Sequence, residues 1–286
     1  MDVFITPQVE QLIKLALEED IGAGDLTTLS TISAKSQAKG SFRAKQDGVV
    51  AGLFLLERVF HLIDPRVEVR ALCSDGDPVK AGKVVAEVQG ATRSLLLCER
   101  TALNFLQRLS GTATLTRRFV EAVKDFPCKI IDTRKTTPGL RVLEKYAVRM
   151  GGGMNHRLGL YDAGLIKDNH IAASGSMIEA VQRVRRNAPF MAKVEVEVEN
   201  LEQVMEAIGA GADVIMLDNM GLKEMAEAVR LVDKRAWVEA SGGIRLLNLR
   251  EVAAAGVDYI SAGALTHSAQ ALDFNMKIVT HNDPRS

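Results

Sequence analysis

Residues 193–218 read KVEVEVENLEQVMEAIGAGADVIMLD, and this stretch decides the fold. The pattern predicts a strand over 193–198, an amphipathic helix over 201–209 and a second, apolar strand over 213–217. A strand, a helix and another strand in succession form a right-handed crossover, which places the two strands parallel in one sheet. The stretch therefore predicts an α/β fold.

The same alternation repeats through the second half of the chain. Strands are predicted at 129–132, 164–167, 193–198, 213–217, 237–240 and 259–262. Helices are predicted at 141–150, 176–186, 201–209, 222–232 and 246–255. An open doubly wound sheet and a closed or nearly closed barrel both fit this order.

Polar residues or exposed backbone at the end of each strand favour the barrel. They are Arg134 and Lys135, Lys167, Glu197, Asp218, Ser241, and Gly263. An open sheet concentrates ligand contacts at one switch point, whereas a barrel collects them from several strand ends around one mouth. Because six strands are evident instead of eight, we expect an incomplete barrel.

The first part of the chain follows a different pattern. A helix is predicted over 7–19, then a turn over 22–28, short strands between turn dipeptides from 40 to 90, and helices over 94–107 and 113–124 separated by a break at Gly111. Residues 272–278 alternate with period two and are expected to return as a strand to this region. The predicted domains are therefore an N-terminal α/β domain, 1–110 completed by 266–286, and a barrel domain, 111–265.

The net charge is zero, because 36 Lys and Arg side chains balance 36 Asp and Glu side chains. This balance argues against nucleic-acid and membrane-surface partners, which usually select a basic excess. No basic region followed by a long apolar run opens the sequence, and the apolar runs are too short to span a bilayer, so we expect a cytoplasmic protein. Cys73, Cys98 and Cys128 form no CxxC pair, which predicts reduced thiols.

Cations follow the first strand of the alternation. Residues 132–139 read DTRKTTPG and place Thr133, Arg134 and Lys135 directly after that strand. Two adjacent cations with hydroxyl neighbours suit a carboxylate or phosphate ligand. A solvated turn that caps the next helix is the alternative interpretation.

Three further cationic positions accompany this pair. Residues 151–157 read GGGMNHR, which lacks the Gly-Lys-Ser/Thr of a phosphate loop and instead predicts a tight turn that places His156 and Arg157 near a neighbour. Lys167 leaves an apolar strand and either extends to the rim or lies in the barrel mouth. Arg100 lies in an apolar helix, where it either pairs with a carboxylate such as Glu99 or reaches a site from outside the barrel domain.

The acidic strand has two interpretations. Residues 194–199 read VEVEVE and place glutamates on one face and valines on the other. The strand is either a wet edge or faces a barrel lumen, where carboxylates bind a metal or sugar hydroxyls. Asp218 ends the next strand, so Glu197 and Asp218 are expected to be neighbours at one rim, which favours the lumen.

Small residues close the last two strands. Ser241, Gly242 and Gly243 follow one strand, and Ser261, Ala262 and Gly263 follow the other. Such loops expose backbone N–H groups at helix N-termini, and the last strands of a barrel are the usual phosphate-binding position. We therefore expect a strongly anionic ligand that carries several carboxylates or phosphates.

These motifs, taken in order, resemble one enzyme family. DTRKTTPG, GGGMNHRLGLYDAGLIKDNH, VEVEVEN, VIMLDN, EASGGI and SAGALTHSAQALDF are similar to quinolinate phosphoribosyltransferases, as are ALEEDIGAGDLTT and AKQDGVVAGL near the N-terminus. The resemblance extends from about Val9 to Ile278. It implies an N-terminal α/β sandwich domain, an incomplete barrel, and the conversion of quinolinate and phosphoribosyl pyrophosphate to nicotinate mononucleotide, pyrophosphate and CO₂ with Mg²⁺, in NAD synthesis.

The resemblance also implies residue roles. It assigns Arg134, His156, Arg157 and Lys167 to a dicarboxylate pocket. It assigns Lys135, Glu197, Asp218, Ser241 and Gly263 to the phosphoribosyl and pyrophosphate groups. It further implies a homodimer with a composite site, in which Arg100 comes from the neighbouring subunit. Lys135, Lys167, Glu197 and Asp218 are then the candidate catalytic residues, with Mg²⁺ held through pyrophosphate, Glu197 and Asp218.

Three other functions are compatible with parts of the sequence. A related phosphoribosyltransferase with another acceptor, such as the proteins associated with molybdenum transport, is the nearest alternative. A Schiff-base aldolase or lyase would use Lys167 on its barrel strand. A carrier domain would explain the hairpin-like segment 76–82, but the Asp-Lys-Ala or Met-Lys-Met modification turn is not present.

Overall fold

The computed structural model describes residues 5–280. Contacts divide the chain into two compact units. The first takes in the described residues up to Leu115, Pro138–Gly152 and those from Ala269 onward, and the second takes in Thr116–Thr137 and Gly153–Ser268. None of the helices in the described residues is long and apolar enough to cross a membrane.

The first unit is built on an antiparallel sheet. Its elements are α1 (Pro7–Ile21), α2 (Leu26–Thr31), β1 (Gln37–Ala44), β2 (Gly48–Val49), α3 (Leu53–Ile63), β3 (Glu68–Ala71), β4 (Pro78–Val79), β5 (Val84–Ala91), α4 (Thr92–Ala122, which continues into the second unit), α5 (Arg141–Met150) and β12 (Phe274–Thr280). The sheet has the order β12-β1-β5-β3, and β2 pairs with β4. The predicted C-terminal strand is confirmed, since β12 pairs antiparallel with β1 and places Phe42 opposite Met276.

Alternate residues of β1 are buried, so one face of the sheet packs against helices. Phe42 on this face meets Phe60 of α3 edge to face, with 6.3 Å between ring centroids. Both rings are fully buried, and each such burial stabilises the fold by about 1.5–3 kcal/mol. The α/β sandwich expected for the N-terminal part is thus confirmed.

Three local predictions for this region were wrong. Residues 53–63, predicted within a series of short strands, form α3, whose apolar residues have helical spacing. Residues 26–28, predicted as the end of a turn, belong to α2, which Asp25 caps by accepting a hydrogen bond from the N–H of Thr28. The break at Gly111 is absent, because α4 is continuous from Thr92 to Ala122.

The unit boundaries differ from the predicted domain limits at α5. The prediction placed this helix in the barrel domain, yet Leu143 and Ala147 are buried in the hydrophobic cluster of the first unit. The hydroxyl of Tyr146 donates to Asp75 at 2.6 Å, which adds a partly buried polar contact. Residues 1–4 and 281–286 of the predicted domain lie outside the described residues.

The second unit is a six-stranded parallel sheet with helical crossovers. Its elements are β6 (Lys129–Ile131), β7 (Gly164–Ile166), α6 (Asp168–Ser174), α7 (Met177–Asn187), β8 (Val194–Val198), α8 (Leu201–Ala210), β9 (Val214–Asp218), α9 (Leu222–Val232), β10 (Trp237–Ser241), α10 (Leu249–Ala254), β11 (Tyr259–Ser261) and α11 (Ala264–His267). The strand order is β6-β11-β10-β9-β8-β7. All six predicted strands are present, and the sheet matches the incomplete barrel that was predicted.

The cysteines are consistent with reduced thiols. Cys73, Cys98 and Cys128 all have free thiols. Cys98 is fully buried, and this burial raises the pKa of its thiol to about 12. The thiolate form is therefore strongly disfavoured at neutral pH.

Candidate active site

The carboxyl ends of the six parallel strands meet at one edge of the second unit and enclose a cavity of about 380 Å³. The predicted site residues that line it are Thr133, Arg134, Lys135, His156, Arg157, Lys167, Glu197, Asp218, Ser241, Gly242, Gly243 and Ser261. Gly263 precedes α11, and Ala262 beside it is buried. Arg100 is exposed on α4 in the first unit.

Lys167 lies in the mouth of this cavity. It follows β7 directly, and its ammonium forms an ion pair with Glu197 of β8. Its main-chain N–H donates to Nδ1 of His170 at 3.0 Å, which fixes the turn into α6. The ion pair places a cation and an oxygen donor side by side at the strand ends.

The acidic strand faces the barrel interior. β8 lies between β7 and β9, so it is not an edge strand. The register aligns Glu197 with Met216 and Met216 with Glu239, which places all three on one face. Asp218 ends β9, lines the same cavity and accepts a hydrogen bond from Nδ2 of Asn219 at 3.0 Å. The structure therefore agrees with the interpretation in which the glutamates of this strand face the barrel lumen.

A buried aspartate positions the segment that carries His156 and Arg157. Met154 pairs with Ile131 as a parallel bridge beside β6. Asp132 is fully buried and accepts hydrogen bonds from the His156 N–H at 2.9 Å and from Nδ2 of Asn155 at 2.6 Å. Asp132 is not among the site residues predicted from the sequence, although an acid at the end of a buried strand is the signal for this role.

The electrostatics of Arg157 suit an anion. One of its terminal nitrogens donates to the carbonyl oxygen of Ala163 at 3.0 Å. Its Nε is buried and has no hydrogen-bond partner among the described residues. Burial, followed by the neighbouring charge of Arg134, lowers the pKa of the Arg157 guanidinium. Both effects raise the free energy of the charged guanidinium, and the attraction of a bound anion would offset them.

Two further glutamates lie beside His156. Glu195 of β8 and Glu239 of β10 are buried, with 6% and 2% of their surface exposed. Nε2 of His156 lies 2.9 Å from Glu195 and 3.6 Å from Glu239. Burial, followed by the charge of Glu195, raises the pKa of Glu239 well above its usual range. Glu239 is not among the site residues predicted from the sequence, although a glutamate inside the otherwise apolar start of β10 is a signal for it.

Glycines allow the strand-end loops to approach each other. Gly242 has a φ of 88°, and a Cβ there would lie 2.9 Å from the main-chain nitrogen of Asn219. A Cβ on Gly263 would lie 2.9 Å from Cδ of Lys135. Larger residues would therefore displace the loop after β9 or the Lys135 side chain.

Family models match nearly the whole chain. The quinolinate phosphoribosyl transferase N-terminal domain matches residues 25–110, and the corresponding C-terminal domain matches residues 112–277. The chain belongs to the quinolinate phosphoribosyltransferase family. The resemblance drawn from the sequence motifs is thus confirmed, and with it the assignment to phosphoribosyl-transferring enzymes of pyridine nucleotide synthesis.

Similar proteins of this family come from several organisms. A probable nicotinate-nucleotide pyrophosphorylase (carboxylating) of Synechocystis is 48% identical over 280 residues, which cover 97% of this chain and 93% of the relative. The Bacillus subtilis protein of the same description is 48% identical over 276 residues, covering 96% and 95%. The crystal structure of NadC from Streptococcus pyogenes superposes with a TM-score of 0.94 at 47% identity, covering 99% of this chain and 100% of that one.

Proposed function

We propose that this quinolinate phosphoribosyltransferase transfers the phosphoribosyl group of phosphoribosyl pyrophosphate to quinolinate and releases pyrophosphate and CO₂, giving nicotinate mononucleotide. The observation that carries the proposal is the composition of the cavity, which sets Arg134, Arg157 and Lys167 beside Glu197 and Asp218. A dicarboxylate suits the cations, and a sugar that develops positive charge suits the carboxylates. The names of the similar proteins describe this reaction.

The two substrates divide the cavity. Arg134, Arg157 and Lys167 bind the carboxylates of quinolinate, with His156 beside them. The exposed ammonium of Lys135 and the loops at Ser241–Gly243 and Ser261–Gly263 bind the phosphate groups, because small residues leave backbone N–H groups accessible. Each charge-assisted contact stabilises the bound substrate by about 1.5–3 kcal/mol.

The residues at the strand ends fit Mg²⁺ bound to pyrophosphate. Glu197 and Asp218 offer hard carboxylate oxygens at adjacent strands, which is the donor type that Mg²⁺ prefers. When bound, Mg²⁺ would neutralise negative charge on the leaving pyrophosphate. We therefore propose that Glu197 and Asp218 hold the ion together with the substrate.

The chemistry needs no protein nucleophile. The pyridine nitrogen of quinolinate attacks C1 of the ribose as the bond to pyrophosphate breaks, and Glu197 and Asp218 stabilise the oxocarbenium-like sugar. The resulting pyridinium withdraws electrons, so the adjacent carboxylate leaves as CO₂ and a proton replaces it on the ring. Lys135 and Lys167 are the two lysines of the cavity that can stabilise the carbanion. Separate measurement of pyrophosphate and CO₂ release by the two alanine variants distinguishes them.

A direct assay tests the proposal. Purified protein is mixed with Mg²⁺, quinolinate and phosphoribosyl pyrophosphate, and CO₂, pyrophosphate and mononucleotide are measured. Nicotinate, which lacks the second carboxylate, replaces quinolinate in the matched control. We expect equal amounts of the three products with quinolinate and little turnover with nicotinate. A folded sample that forms no mononucleotide from quinolinate would refute the assignment, as would a preference for nicotinate.

We further propose a homodimer with a composite site, to which the neighbouring subunit contributes Arg100. The support is the resemblance to the family together with the exposed position of Arg100 on α4. Mixing Arg100→Ala with Lys135→Ala and allowing subunits to exchange should restore about a quarter of the wild-type activity, because half the dimers then hold one intact site. Failure to restore activity despite proven exchange would contradict the shared site.

The cytoplasmic location stays a prediction.

A further inference from the structure

A cluster of three side chains at the proposed quinolinate site has an unusual composition. Glu195, Glu239 and His156 place three ligand-type atoms within 4.8 Å of one another. One carboxylate oxygen of each glutamate is buried without a hydrogen-bond partner among the described residues. Such a cluster either binds a metal ion or serves as a hydrogen-bonding support, and the proton on His156 decides between the two.

The ring nitrogens of His156 have different roles. Nδ1 accepts a hydrogen bond from the main-chain N–H of Arg157 at 2.7 Å. A nitrogen that accepts cannot carry a proton, so the proton of the neutral ring is on Nε2. Nε2 lies 2.9 Å from Oε2 of Glu195 and therefore donates to it. A protonated Nε2 has no lone pair for a metal ion, which favours the support over the metal site.

Hydrogen bonds connect this cluster to the guanidinium of Arg157. The Arg157 main chain is fixed by Nδ1 of His156, and the main chain of His156 is fixed by Asp132 at 2.9 Å. The guanidinium is held at its far end by the carbonyl oxygen of Ala163. Residues 155–157 form no helix or regular strand, so these contacts determine where the guanidinium lies.

We propose that Glu195 is a positioning residue for quinolinate binding: it fixes His156 in the Nε2–H tautomer, and Nδ1 of that ring fixes Arg157. Glu195 lines the cavity on the amino-terminal side of the sheet and not the proposed substrate cavity, so it is placed to position its neighbours and not to contact quinolinate. The inference rests on the proposed function, because Arg157 is assigned to quinolinate there. The tautomer itself can be observed independently of any activity.

Three variants test the chain of contacts. Glu195→Ala removes the acceptor, Glu195→Gln retains an oxygen acceptor of the same shape, and Glu199→Ala removes an exposed carboxylate just after the same strand. We expect Glu195→Ala to raise the KM for quinolinate about tenfold, which corresponds to about 1.4 kcal/mol, without changing the KM for phosphoribosyl pyrophosphate. Glu195→Gln and Glu199→Ala should retain the wild-type KM for quinolinate.

Long-range ¹H–¹⁵N spectra of the histidine rings provide the second readout. The signals of His156 are identified by comparison with His156→Asn. We expect the Nε2–H tautomer in the wild type and Glu195→Gln, and a mixture of tautomers in Glu195→Ala. If Glu195→Ala does not fold, the wild-type and Glu195→Gln spectra and kinetics decide the question.

Several results would overturn the proposal. They are an Nδ1–H or doubly protonated His156 in the wild type, an unchanged quinolinate KM in folded Glu195→Ala, and an equal rise in both KM values. A Co²⁺ titration that gives visible d–d absorption, lost in Glu195→Gln, would show a metal site instead. The absence of quinolinate turnover by the wild type would refute the proposed function but leave the tautomer measurable.

Discussion

The glycine inside α4 provides a stability test in which two opposing effects can be compared. An alanine Cβ at Gly111 would lie 2.9 Å from the carbonyl carbon of Gln270 and 3.0 Å from Cα of Ala271. These are main-chain atoms, so no rotamer change relieves the clash. The following residue, Leu272, is anchored to α4 because its N–H donates to the carbonyl oxygen of Gln107 at 3.0 Å.

The magnitudes predict that Gly111→Ala destabilises the fold. Alanine is favoured over glycine inside a helix by about 1 kcal/mol. Overpacking a rigid contact costs about 1–3 kcal/mol or more, and the main-chain clash at Gly111 belongs at the upper end. We therefore expect a net loss of about 2 kcal/mol in the free energy of unfolding, seen as a Tm lowered by several degrees.

Gly209 in α8 is the matched control. It is helical and exposed, and a Cβ there would meet nothing within 4 Å. Gly209→Ala should stabilise the protein by up to about 1 kcal/mol, so the same substitution has opposite signs at the two sites. Thermal and urea unfolding of both variants measure this. If Gly111→Ala stabilises the protein as Gly209→Ala does, the close approach to residues 270–271 does not constrain α4.

Three further substitutions test the site and the fold. Arg157→Ala should raise the KM for quinolinate about ten- to hundredfold, because charge-assisted contacts of about 1.5–3 kcal/mol are lost; an equal rise in the KM for phosphoribosyl pyrophosphate would contradict the assignment. Hydrogen bonds from Arg66 lower the pKa of Asp64 to about 2, so Asp64 stabilises the fold above its unfolded pKa, and this contribution is lost as the pH falls through the folded value. Asp64→Asn should therefore be less stable than the wild type in urea at pH 7. The difference in their free energies of unfolding should disappear as the pH falls from about 4 to about 2; a difference that does not change with pH would refute this. Gly263→Val should displace Lys135 and lower kcat/KM for phosphoribosyl pyrophosphate while the Tm changes little; unchanged kinetics would show that the lysine adapts.

The strands of the parallel sheet could be predicted because their signal is local. Apart from β8, in which valine and glutamate alternate, each strand is a short and mainly apolar segment that ends at a polar residue or a loop of small residues. The length of the intervening helices requires parallel crossovers. The positions of Lys167 and Asp218 at the strand ends follow from the same pattern, which is why the sequence predicts most of the side chains that line the cavity.

The remaining features depend on contacts between distant residues. Gly111 was interpreted as a helix break, whereas its role is close approach to residues 270–271, more than 150 positions away in the sequence. The proximity of Glu195 and Glu239 to His156 requires the strand order β10-β9-β8, which no local pattern specifies. α3 was missed because the turn residues on both sides of it suggested short strands.

The pairing of β12 with β1 has a consequence for synthesis on the ribosome. The first strand of the antiparallel sheet is made early, but its partner at Phe274–Thr280 is made only after the whole parallel sheet. During elongation β1 therefore presents an open strand edge, which is the kind of surface that pairs with other chains or is held by chaperones. The nascent barrel can fold first, and the N-terminal sheet is completed only after all six strands of the parallel sheet have been added.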